Sequence, residues 1–109
     1  FYGPLKEWYQ AHQANDHVVL LDKTRYSAFC GTRLQLFLQE RGIRHLALTG
    51  VCTDICVLHT AVDAYNRGYQ LTVYQDAVAA LTPTGQEWAL QHFQTVLGAE
   101  VLLGGEPNE

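Results

Sequence analysis

Short apolar runs separated by helical patterns constrain this chain more than any other feature. HVVLLDK (17–23), HLALTGV (45–51) and QLTVYQDA (70–77) are rich in β-branched and aliphatic residues and lack clean alternation, and a shorter run, AEVLLGG (99–105), follows them. Strands buried on both faces have this composition, because neither face meets water. Between the runs, residues 32–41 set Leu34, Phe37 and Leu38 on one helical face and stop at Gly42. Residues 53–67 repeat apolar side chains at Ile55, Leu58, Ala61, Val62 and Tyr65 before Gly68. Residues 84–97 follow Pro83 and carry Trp88, Leu90, Phe93 and Val96 or Leu97 before Gly98. A glycine just past the last periodic residue is a helix C-terminal signal. The alternation predicts an α/β fold with a parallel sheet.

Handedness adds a second constraint. Parallel strand–helix–strand connections are right-handed in nearly all proteins. If the first three strands add in one direction, the first two helices share a face, and only the final helix can help to cover the other. A sheet built from such runs needs cover on both faces. Residues 1–109 are therefore expected to be part of a larger α/β domain, with one or more strands and the second helical layer missing. A start at Phe1, with no initiator Met and in what reads as a loop, agrees with that expectation.

Composition narrows the function classes. A hydrophobic share of 48% and a charged share of 17% suit a cored domain, not a disordered tail. Seven Lys plus Arg against eleven Asp plus Glu leave a net charge of −4, which offers no footprint for nucleic acid or an anionic membrane. No apolar run approaches the roughly 20 residues of a membrane helix. Three cysteines, unevenly spaced, do not make a secreted disulfide scaffold, so a reducing cytoplasm is the expected location.

The chemistry concentrates in TGVCTDICVLHTA (49–61). The strand ends near Val51, and Thr53 is a good N-cap, which sets Cys56 in the first helical turn. Unpaired N–H groups and the helix dipole there favour a thiolate, the nucleophilic form of cysteine. Strand carboxyl ends are also where open α/β sheets bind ligands, and a first-turn N–H can hold an oxyanion. Cys56 is thus a nucleophile or, like most free cysteines, a small buried hydrophobe. Cys52 lies four positions earlier, not in the C-x-x-C of dithiol redox motifs, and no second pair completes a zinc site. A structural role through its backbone is favoured over a dithiol switch with Cys56, and Cys30 is expected to be filler. Lys23, at the end of its run, either partners the thiolate and a developing oxyanion or is a solvated strand-end lysine. Tyr26 and Phe29 either wall a pocket or pack on the next helix. Asp22 and Asp54 are candidates for supporting or capping roles, Asp54 in a first helical turn. His59 shares a helix face with Cys56, as a possible Cys–His pair or a rim residue. The five histidines, His12, His17, His45, His59 and His92, form no H-x-H or H-E-x-x-H pattern.

LDKTRYSAFCGTRLQLFLQERGIRHLALTGVCTDICVLHTAVDAYNRGYQLTVYQDAVAAL resembles the C-terminal part of the isochorismatase-like cysteine hydrolases. K-x-R-Y-S-A-F followed by G-V-x-T-D-I-C-V-L-H-T-A-x-D-A-Y-N-x-G-Y is similar to bacterial nicotinamidases in particular, and the match continues through LQHFQTVLGAEVL. The resemblance implies a three-layer α-β-α domain, a six-stranded, mainly parallel sheet with helices on both faces, of which residues 1–109 are the C-terminal part and the N-terminal part is absent. It implies Cys56 as nucleophile and Lys23 as its catalytic partner, with a cis peptide between Val51 and Cys52. The backbone N–H groups of Cys52 and Cys56 would form the oxyanion hole, and Tyr26 would line the substrate pocket near the ring.

The departures from the family pattern are equally specific. A catalytic aspartate in a D-x-Q-x-D-F setting has no counterpart in these 109 residues. The divalent metal of nicotinamidases, zinc by expectation, is held by an Asp-x-His motif and a later His that also belong to the earlier half. No metal ligands are therefore expected within this sequence. The expected function is cysteine-dependent hydrolysis of nicotinamide to nicotinate and ammonia, a step of NAD salvage. The expected partners are a small-molecule amide, the N-terminal part of the same domain and further copies in a homo-oligomer. The alternatives are a related amidase acting on a carbamoyl or ureido compound, and a non-catalytic module that docks through an uncovered sheet face.

Overall fold

In the computed structural model, residue 19 and residues 21–103 are described. Each apolar run within that range starts where a helix has just ended on a glycine. Helix α1 (Leu34–Glu40) stops before Gly42, which takes φ 64°, and strand β1 (His45–Val51) follows. A π-helical turn (Thr53–Val57) leads into α2 (Leu58–Asn66), and Gly68 at φ 87° turns the chain into β2 (Gln70–Ala79). Helix α3 (Pro83–Thr95) and β3 (Glu100–Leu102) complete the order. The expected strand over 17–23 falls partly outside the described residues, and residues 21–23 carry no regular structure. His12 and His17 also lie outside them.

The sheet runs β1-β2-β3, with both pairs parallel. Paired residues in a parallel ladder share a face, so Leu46 with Leu71 and Leu48 with Val73 form one apolar side. Val101, opposite Val73, extends it. Helices α2 and α3 touch each other, which places them side by side on one face of the sheet. Right-handed crossovers between strands added in one direction require this. It corrects the expectation that the final helix helps to cover the opposite face. On that opposite side His45, Ala47 and Thr49 are exposed, and His45 Nε2 pairs with Thr72 Oγ1 at 2.7 Å.

The core lies between sheet and helices. Phe93 and Ala89 of α3, Ala61 and Ala64 of α2 and Val73 of β2 are all fully buried. The sheet changes register where it meets the site: β1 advances two residues from Leu48 to Gly50 while β2 advances five, from Val73 to Val78. Gly50 takes φ 124° at this point, a conformation L side chains rarely adopt. Helix α3 braces β2 at this irregularity, where Gln86 Nε2 donates to Gln75 O and Val78 O, each at 3.4 Å.

Candidate active site

Beyond β1 the chain leaves the sheet through the Val51–Cys52 peptide, which is cis. Cys52 is extended (φ −93°, ψ 145°), and its carbonyl accepts from the N–H groups of Ile55 and Val57, both at 3.1 Å. The bond from Val57 spans five residues, one more than an α-helix closes, and gives a π turn. Thr53 and Val57 at its two ends are buried and pin the turn to the core. This corrects the expected N-cap at Thr53. Cys52 holds the cap position without a side-chain hydrogen bond, and Thr53 turns its side chain inward.

Lys23 reaches the turn from far along the sequence. Its Nζ lies 3.7 Å from Cys56 Sγ and donates to the Arg25 carbonyl at 3.1 Å. Cys56 and Lys23 together line two spaces. One is a cavity of about 370 Å³ walled by Phe29, Leu46, Leu48, Val57 and Thr60 among others, within the roughly 300–1,000 Å³ typical of small-molecule sites. The other is an open depression shared with Thr24, Arg25 and Tyr26.

Tyr26 is 60% exposed, and its ring centroid lies 5.5 Å from that of His59. His59 Nδ1–H donates to the Ile55 carbonyl at 2.7 Å. His59 is therefore committed to the turn's own backbone and to Tyr26, and does not pair with Cys56. Phe29 packs as well as walls: it is buried under the Arg67 guanidinium at 5.0 Å and beside Tyr69 at 5.9 Å. Cys30 is exposed, not core filler, and all three cysteines are free. The loop carrying Lys23 and Tyr26 is tied to α2 by the Ala28 N–H, which donates to Thr60 Oγ1 at 2.9 Å. No spacing rule links those two residues in the sequence.

Among the described residues no group of three or more His, Cys, Asp and Glu side chains is placed to hold a metal ion. Nothing there fits a divalent metal, and no chemical step below runs through one. Among the described residues, too, no helix is long and apolar enough to cross a membrane.

The fold and the Lys23–Cys56 pair define a parallel α/β protein whose site opens at the carboxyl edge of its sheet. More narrowly, the chain belongs to the isochorismatase family, whose Isochorismatase domain matches residues 4–104. It is 55% identical over 100 residues to the uncharacterized isochorismatase family protein PncA of Bacillus subtilis, covering 92% of this chain and 55% of that protein. A crystal structure of nicotinamidase PncA from Bacillus subtilis matches with a TM-score of 0.86 at 55% identity, covering 94% of this chain and 56% of that one. The ureidoacrylate amidohydrolase RutB of Methylorubrum extorquens is 43% identical over 81 residues, 73% of this chain and 33% of that protein. The chain thus spans about half the length of the first relatives it matches.

Proposed function

We propose that the whole protein hydrolyses nicotinamide to nicotinate and ammonia through a thioester on Cys56. The observation that carries this is the 3.7 Å approach of Lys23 Nζ to Cys56 Sγ at the carboxyl edge of the sheet. The likeness to a nicotinamidase structure supports the substrate. Cys56 Sγ adds to the carboxamide carbon, and the carbonyl π electrons move onto oxygen. The N–H groups of Cys52 and Cys56 hold that oxyanion. The C–N bond then breaks, the nitrogen takes a proton and leaves as ammonia, and water attacks the thioester to release the carboxylate and return the thiolate. Lys23 keeps the thiolate and the oxyanion charge-paired, and Tyr26 lines the open side against the ring. The proton carrier is an aspartate of the D-x-Q-x-D-F type, supplied from outside these 109 residues. The divalent metal that the family resemblance implies would likewise be held by residues outside the described ones. In this proposal residues 1–109 form the C-terminal part of the domain, and the second helical layer covers the face of Ala47 and Thr49.

The test is ammonia release from nicotinamide by the whole protein and by its Cys56→Ala variant. The variant is expected to be slower by on the order of 10⁴-fold or more. Equal rates would sink the assignment. The likeness to a ureidoacrylate amidohydrolase favours a second reading, in which the same cysteine opens a ureido or carbamoyl C–N bond. A panel of nicotinamide against ureido and carbamoyl compounds, ranked by kcat/KM, decides between the two.

A further inference from the structure

Asp54 sits two residues before Cys56, in the same π turn, and is half-buried. Its carboxylate does not cap α3 in the ordinary way. The first-turn N–H of Gly85 is taken by Thr82 Oγ1 at 3.0 Å, and Asp54 Oδ1 is buried with no hydrogen-bond partner among the described residues. Asp54 Oδ2 instead stands where a side chain on Gly85 would have to go. A methyl group built on Gly85 would overlap Asp54 Oδ2, stand 3.2 Å from its Cγ and lie 3.0 Å from Thr82 Oγ1, where ordinary contact begins at 3.4 Å. Gly85 shows no need for glycine in its backbone angles, since it is absent from the residues with positive φ. The space above it is what requires the missing side chain. A carboxylate beside the first turn of a helix also meets the positive end of the helix dipole.

We propose that Asp54 is a positioning residue for Cys56. Its carboxylate seats in the notch that Gly85 leaves in the first turn of α3, and that seat sets where the π turn holds the sulfur over the sheet edge. The inference rests on Cys56 being the nucleophile. Thr53 and Val57 fix the turn to the core beneath it, and Asp54 fixes it sideways to α3. Filling the notch pushes the turn away by a distance on the order of 1 Å, and a misplacement of that size costs roughly 100-fold in rate.

The experiment is a double-mutant cycle in the whole protein: wild type, Gly85→Ala, Asp54→Ala and the pair together. It reads kcat and KM for nicotinamide, and the rate at which iodoacetamide alkylates Cys56, followed on the peptide that contains it. Gly85→Ala is expected to lower kcat roughly 100-fold with KM little changed, and to slow alkylation. Asp54→Ala lowers kcat less, and in its background Gly85→Ala costs far less than it does in the wild type, because the carboxylate is gone and only the 3.0 Å approach to Thr82 Oγ1 remains. Wild-type kcat in Gly85→Ala, or losses that multiply in the pair, would overturn the proposal. If Gly85→Ala alone unfolds, as far-UV circular dichroism would report, the pair against Asp54→Ala still decides, since the carboxylate is absent from both: a further loss near roughly 100-fold would overturn the proposal, and a small one supports it. The two claims fail separately. Wild-type turnover by Cys56→Ala removes the nucleophile assignment, whereas inactive Cys56→Ala with an uncoupled Asp54 and Gly85 removes only the seat.

Discussion

Cys56 and Lys23 differ in how their roles can be recognised. Cys56 stands where an apolar run gives way to a helix start, so its place at a strand's carboxyl edge is legible from neighbouring residues. Lys23 ends an apolar run too, but its approach to Cys56 depends on how a distant loop is tied to α2 through Ala28 and Thr60, which local sequence does not record. At His59 spacing left two roles open, and the structure bears out the rim role. Its three-residue spacing from Cys56 suggests a pair, yet its Nδ1–H is taken by Ile55 O one turn back. Lys23 is exposed and contributes charge more than packing. Lys23→Met is therefore expected to lower kcat on nicotinamide on the order of 10²- to 10³-fold, with an unchanged melting temperature. A melting temperature that fell with the activity would mean that Lys23 acts through structure instead.

Among the elements, helix ends were easier to foresee than helix starts. Gly42 and Gly68 close α1 and α2 as the sequence suggests, because a glycine past the last periodic residue relieves the left-handed turn. The start of the segment over 53–67 was not legible as a π turn. The wide turn follows from burying Thr53 and Val57 together while Cys52 O accepts from Val57 N, a balance set by the sheet and α3. Helix α3 begins at Pro83 with Thr82 as its cap, one residue before the expected 84, although Thr-Pro at cap and first position is a recognisable start. Its Phe93 is fully buried and is the largest side chain so placed. Phe93→Ala is expected to cost about 3–5 kcal/mol, read as a lower urea midpoint in the whole protein. A loss below about 1 kcal/mol would mean that α3 does not anchor the core.

At the scale of the whole molecule, the parallel sheet followed from the apolar runs, and the shared side of α2 and α3 followed from handedness once the strand order was known. The order itself was assumed from the sequence, and the final helix was given the wrong face for want of it. The side of β1 that bears Ala47 and Thr49 is exposed, and Val51 at its end is 67% exposed, next to the turn that carries the proposed nucleophile. In the proposed reading, hydrolysis draws on groups outside these 109 residues, so its covalent step is tested in the whole protein. Hydroxylamine competes with water for a thioester and converts it to a hydroxamate. With nicotinamide and increasing hydroxylamine, the account predicts that nicotinohydroxamate appears at the expense of nicotinate, and that Cys56→Ala makes neither. Undiminished nicotinate and no hydroxamate, at any hydroxylamine concentration the enzyme survives, would mean that water attacks the amide directly and that Cys56 is not the nucleophile.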